Sequence, residues 1–383
     1  MHAAPPIVID ATAIPAQVGG VGRYLEQLIP ALDAEGVALV IACQRRDADW
    51  IAESAPHAVI HTVPAAVERT ALRLLWEQTG LVRLARRHRA AVIHAPHYTM
   101  PLLAGRPVVV TLHDATFFSD PHLHSRLKRV FFRAWTRLSL RRAAACIVPS
   151  AATRDELVRF VGPRAAACHV AHHGVDGSAF HPPTADEVER ARTLVGAPHW
   201  IAFLGTIEPR KNVPNLIRAV LAAQPELQGR YPDAALVLAG ARGWDTEVDG
   251  LLAEAGDRVR VLGYVDRDDL PGLLGGALLV AYPSLGEGFG LPVVEAMACG
   301  APVLTTRRLA LPEVGGDAVA YAEPSTEGIR AALVALLDDE AARYELGQRG
   351  VARAARFTWS AAAAAHRAVY ESVSRRGGSD GRS

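Results

Sequence analysis

Short apolar runs alternate along the chain with longer stretches whose hydrophobic positions recur at helical spacing. The runs fall at residues 7–10, 37–42, 91–94, 108–113, 144–149, 201–205, 235–240, 259–263, 278–283 and 302–306. Most are continuous rather than alternating with polar residues, the pattern of strands buried on both faces of a parallel sheet. Helical stretches of about 10–15 residues between them predict βαβ units. Five runs lie in each half, and the series restarts after a Gly/His/Pro-rich stretch from Ala171 to Pro183. The chain is therefore expected to form two doubly wound α/β domains, 1–177 and 178–360. The ligand crevice of such a domain lies beyond the carboxyl ends of its strands, and two domains facing each other would form a central cleft. An alanine-rich segment predicts a final helix over 361–375, expected to pack back on the N-terminal domain. The Gly/Ser/Arg-rich tail, 376–383, is expected to be disordered.

Composition narrows the class. A chain of 383 residues is long for one core and comfortable for two. No apolar run approaches the roughly 20 residues needed to cross a bilayer, and no basic segment followed by an apolar core marks a signal peptide. Cys43, Cys146, Cys168 and Cys299 lack metal-ligand spacing and read as buried reduced thiols of a cytoplasmic protein. The net charge of +1 conceals an asymmetry, because residues 1–180 carry 20 basic against 14 acidic side chains. The excess concentrates between Arg126 and Arg142, where seven cations are interleaved with Phe131, Phe132 and Trp135 and no acid intervenes. A solvated helix face is one reading. A face touching anionic lipid, or a phosphate-bearing acceptor, is the other. No nucleic-acid partner is expected.

Candidate chemistry lies at the ends of the apolar runs. Glu287 and Glu295 stand eight apart, with Gly288, Phe289, Gly290, Leu291 and Pro292 between them. Pro292 suits the first turn of a helix, so Glu287 is expected in the preceding loop and Glu295 about one turn inside. Helix-start N–H groups meet phosphate or sugar oxygens, and carboxylates accept hydrogen bonds from sugar hydroxyls. Arg210 and Lys211 follow the run at 201–205 and precede a helical stretch, where two fixed cations would stabilise a leaving diphosphate. His113-Asp114 ends another run. Gly19-Gly20-Val21-Gly22 lacks dinucleotide-binding spacing and reads as a loop before a helix beginning near Arg23. Asp266-Arg267-Asp268-Asp269 looks like a helix start rather than a metal site, and the histidines near His94 and His122 lack zinc spacing. The loops 240–244 and 263–266, the latter including Val265, are expected to wall a nucleotide base.

The string from Ser284 to Val303 resembles the E-x7-E region of retaining glycosyltransferases of family 4, which have the GT-B fold of two Rossmann-like domains. Leu204–Asn212, Gly19–Tyr24 and His172–Asp176 resemble that family's other segments in the expected order. The resemblance implies catalytic roles for His113, Arg210, Lys211 and Glu287. It implies donor contacts at Gly20, Gly205, Val265, Gly288, Phe289, Gly290, Leu291 and Glu295, and acceptor contacts at Gly19, Gly22 and Asp114. It further implies a nucleoside-diphosphate sugar as substrate, no cofactor, no metal, and front-face displacement with retention. GDP-mannose is the favoured donor, with a glycan or lipid-linked acceptor in cell-envelope polysaccharide or glycolipid assembly, at the inner face of the membrane. A UDP-sugar glucosyl- or N-acetylglucosaminyltransferase is the alternative. A nucleotide-sugar epimerase would need acid/base groups at the sugar C2, and a non-catalytic sugar-binding partner would tolerate loss of Arg210, Lys211 or Glu287.

Overall fold

The computed structural model describes residues 5–14 and 20–379. The first sheet comprises β1 (Ile7–Asp10), β2 (Leu39–Cys43), β3 (Val59–Thr62), β4 (Val92–Ala95), β5 (Val108–Thr111), β6 (Ala145–Val148) and β7 (His169–Val170). Its strand order is β3-β2-β1-β4-β5-β6-β7 and every pairing is parallel. The second comprises β8 (His199–Leu204), β9 (Ala234–Ala239), β10 (Val259–Gly263), β11 (Leu279–Tyr282), β12 (Val303–Thr306) and β13 (Ala320–Ala322). Its order is β10-β9-β8-β11-β12-β13, again all parallel. Both are doubly wound. The direction of strand addition reverses between β1 and β4 in the first sheet and between β8 and β11 in the second, and at such switch points the connecting loops diverge and leave a crevice.

Three strands lie outside the apolar runs. β3, β7 and β13 are sheet edges, and β7 and β13 are only two and three residues long. An edge strand is shielded on fewer sides and needs no unbroken apolar run, as the exposed Val59 and Thr62 of β3 illustrate.

The chain divides into one compact unit of Met1–Gly174 with Thr358–Ser383 and a second of Val175–Phe357. The final helix, Trp359–Ser379, therefore belongs to the first unit, and it packs against the Gly20–Ala34 helix. The helix bounds take in residues 376–379 of the expected tail. All four cysteines are buried and free. No helix among the described residues is long and apolar enough to cross a membrane.

Candidate active site

The second sheet's switch point carries a compact ionic cluster. The chain leaving β8 passes through Glu208, Arg210 and Lys211, and the chain leaving β11 passes through Ser284 and Glu287. Leu285 N–H donates to the Arg210 carbonyl (2.8 Å) and ties the two loops together, while Thr306 Oγ1, at the end of β12, donates to the Ser284 carbonyl (2.6 Å). Arg210 Nη1 donates to Glu287 Oε2 (2.5 Å) and to the Gly286 carbonyl (2.8 Å), while Nη2 donates to Glu208 Oε1 (2.7 Å). Glu287 Oε1 accepts from Lys211 Nζ (2.7 Å), Ser284 Oγ (2.6 Å) and the Tyr282 hydroxyl (2.9 Å). Lys211 Nζ also donates to the Tyr282 oxygen.

Burial would raise the Glu287 pKa, but Arg210 and Lys211 beside it hold the carboxylate down at about 2. Burial lowers that of Lys211, with Arg210 adding repulsion and Glu287 opposing both. Two cations and two carboxylates thus hold one another in a nearly dry site. Such a cluster is costly to break by removing one member, because the survivor is left as an unpaired buried charge. Arg210 is its most exposed cation, at 19% of the side chain against 9% for Lys211.

The surrounding glycines allow backbone to approach backbone. Gly240, at φ +125°, has no room for a side chain, since a Cβ would stand 2.3 Å from the Gly205 carbonyl oxygen. Gly290, at φ +106°, turns the chain into the Leu291–Ala298 helix, with Pro292 in its first turn and Glu295 one turn in. Glu295 is buried. Gly205 follows directly on β8, and Gly288 is buried in the loop. The Phe289 ring is buried against Phe357 and the Val265 side chain lies in the core, which leaves the backbone of these two expected donor contacts to face a ligand. The side chain presented beside Val265 is Tyr264, 76% exposed, and Trp244 is exposed after β9. Leu291 packs partly on the same core.

The first sheet's edge is built differently. His113 Nε2 donates to the Pro96 carbonyl (2.6 Å), which fixes the tautomer and leaves Nδ1 as an acceptor; burial lowers its pKa, so the ring is neutral. Tyr24 meets it edge-on at 5.0 Å, and His97, Tyr98 and His173 lie around it. The buried His97 Nδ1 has no hydrogen-bond partner among the described residues, and burial holds this ring's pKa near 3. Asp114, the expected acceptor contact, starts a turn. Its Oδ1 accepts from the Thr116 N–H (2.9 Å) and hydroxyl (2.7 Å). Gly20 and Gly22 lie in the first turn of the Gly20–Ala34 helix, not in a loop, because the helix begins three residues earlier than Arg23. Gly19 falls outside the described residues.

Two buried features here were not legible in the sequence. The first is a hydrogen-bond chain of defined polarity. His366 Nδ1–H donates to the Ala362 carbonyl (2.7 Å), so its Nε2 accepts from Tyr24 (2.8 Å). Tyr24 then accepts from Thr111 (3.1 Å), Thr111 from His94 Nε2 (2.9 Å), and Tyr370 donates to His94 Nδ1 (2.8 Å). It ties the final helix to the ring that packs on His113. The second is Glu77, buried beside Asp10 and accepting from Thr99 (2.5 Å) and Gln78 (3.0 Å); burial and the Asp10 charge push its pKa up to about 7.

Residues 18–178 match the model for Glycosyltransferase Family 4, and residues 185–353 match that for Glycosyl transferases group 1. The O-antigen chain mannosyltransferase B of Escherichia coli is 34% identical over 280 residues, covering 72% of each chain. Sucrose-phosphate synthase from Thermosynechococcus elongatus shares the fold at a TM-score of 0.76 and 21% identity, over 97% of this chain and 99% of that one. Alr3699/HepE from Anabaena, solved in complex with UDP-glucose, does so at 0.72 and 20%, over 97% and 99%. With both halves matched, and a third of the aligned residues shared with that mannosyltransferase, the chain belongs to the glycosyltransferases of family 4 and has their GT-B fold.

Proposed function

We propose that the enzyme transfers mannose from GDP-mannose, with retention and without a metal, to a glycan or lipid-linked acceptor of the cell envelope. The observation that carries this reading is the Glu208–Arg210–Lys211–Glu287 cluster at the β8/β11 switch point. A donor diphosphate brings about two negative charges, and more charge gathers on it as the glycosidic bond breaks. Arg210 and Lys211 stabilise that growing charge, so they lower the barrier more than they tighten the ground state. As the phosphate draws the cations toward itself, Glu287 turns from ion-pair partner to acceptor for the sugar hydroxyls. In a front-face displacement the C1–O bond to phosphate breaks, the acceptor oxygen bonds C1 from the same side, and its proton passes to the leaving phosphate oxygen. His113 and the unpaired nitrogen of His97 supply neutral acceptors for donor-sugar or acceptor hydroxyls. Glu295 orients the ribose, and Tyr264 and Trp244 offer flat faces to the base. Mannose rests on the O-antigen relative.

The protein is taken to work in the cytoplasm against the inner membrane face. Arg126–Arg142 carries the contact, with Leu127 and Val130 exposed at 82% and 65% among its cations. The deciding experiment is a donor panel read by nucleoside-diphosphate release in the presence of acceptor, with the product's anomeric configuration read by NMR. GDP release from GDP-mannose and an α-linked product are expected. Turnover of UDP-glucose or UDP-N-acetylglucosamine instead would reassign the donor, and an inverted product or epimerised donor would overturn the reading.

A further inference from the structure

We propose that the first unit holds a second ligand site, for an alkyl phosphate or diphosphate, at the amino edge of its sheet. A cavity of about 680 Å³ opens there, at the ends of β1, β2, β4 and β5 opposite those that lead to Asp10 and His113. This volume lies within the range of small-molecule sites. The cavity is floored by Ile7, Val37, Ala90 and Pro107. The backbone N–H groups of Ile7 and Ala91 are already used by the Ala38 and Pro6 carbonyls (2.8 and 2.9 Å), and the Tyr370 hydroxyl by His94. Such a floor offers little with which to bind a sugar or a base, and suits an aliphatic body.

The rim has the opposite character. Arg89, Arg106, Arg367 and Arg375 line it against a single acid, Glu371. Arg367 and Arg375 share that carboxylate at 3.8 Å each, and Arg367 also reaches Glu35 at 3.3 Å. The side chains of Arg89 and Arg106 have no hydrogen-bond or ion-pair partner among the described residues. Like charges gathered around an apolar concavity repel one another, and an anion that several guanidiniums can hold offsets this. Guanidinium forks match phosphate oxygens two at a time. An anionic head with an aliphatic tail satisfies rim and floor together, whereas inorganic phosphate satisfies only the rim.

The test is titration calorimetry on the full chain with octyl phosphate below its micelle concentration, beside inorganic phosphate and octyl glucoside. Octyl phosphate should bind at least about tenfold more tightly than either. The double variant Arg89→Asn, Arg106→Gln should weaken it by about tenfold or more while leaving donor turnover unchanged. Asn suits position 89, whose φ is +52°. Unchanged affinity in the double variant, or equal binding of the three probes, would overturn the proposal. Should that variant misfold, hydrogen exchange on the wild type decides, since octyl phosphate must protect residues 36–38, 89–91 and 105–107. Flotation with phosphatidic-acid vesicles that depends on Arg89 and Arg106 would identify a membrane lipid as the source. Binding in solution without flotation would identify a free alkyl phosphate.

Discussion

Glu287 and Glu77 are both buried glutamates near a doubly wound sheet's switch point, yet their protons are held in opposite ways. Glu287 faces a guanidinium and an ammonium and stays ionised down to about pH 2. Glu77 is held by burial and the like charge of Asp10 against a hydroxyl, an amide and the weaker pull of Arg73, and takes a proton near pH 7. The contrast extends to their surroundings. The second unit collects fixed charges at its strand ends, whereas the first collects neutral rings, with His94, His97, His113, His173 and His366 all shifted downward by burial. One fold plan thus supplies a charged edge and a neutral hydrogen-bonding edge. Under the proposed function the charged edge meets the diphosphate and the neutral edge meets hydroxyl groups.

The largest expected effect falls on the charged edge. Lys211→Ala should reduce transfer by ~10²–10³-fold or more, and Glu287→Gln by a similar factor, with far-UV circular dichroism unchanged. Near-wild-type turnover in both would remove the cluster from the reaction. His113→Ala should cost less, about 10–10²-fold, since a neutral hydrogen bond contributes less than a charge. Because the rings remain neutral, activity should show no step between pH 6 and 8 that His113→Ala abolishes, and such a step would break the comparison.

Tyr282→Phe is a finer probe. It removes the hydroxyl between Lys211 and Glu287 while both charges stay, and about a tenfold loss in kcat with little change in KM is expected. A separate prediction concerns stability. For Glu77 the folded pKa is raised from 4.5 to about 7, so the unfolded state releases its proton first and stability falls as pH rises through that window. The loss is on the order of 3 kcal/mol above pH 7. Urea unfolding at pH 5 and pH 8 should show the decline in the wild type and flatten it in Glu77→Gln. An identical decline in the variant would place its source elsewhere.

Much of the ionic cluster at the second sheet's edge was legible because its residues sit in contiguous strings. Arg210-Lys211 and Glu287 lie just beyond apolar runs, and parallel strands put all such positions at one edge. Side-chain direction was not legible. Phe289 and Val265 stand beside true strand-end positions but turn into the core, and Asp114 folds onto Thr116. Glu208 lies within Leu204–Asn212 and Tyr282 near the end of an apolar run, but nothing local marks a side chain as the second partner of a cation. His366 and Tyr370 had no signal at all, since Tyr24 and His94 are far away in the chain, and Glu77 had none because its burial beside Asp10 is set by packing.

The sequence by itself determined the two parallel sheets and the charges at their carboxyl ends, because a run buried on both faces must be apolar throughout and its loops must then carry the polar chemistry. Only the tertiary structure decided which charges meet and which rings stay neutral. Ion pairing and desolvation depend on distances of a few ångströms between groups up to 342 positions apart, and residue order alone does not set those distances.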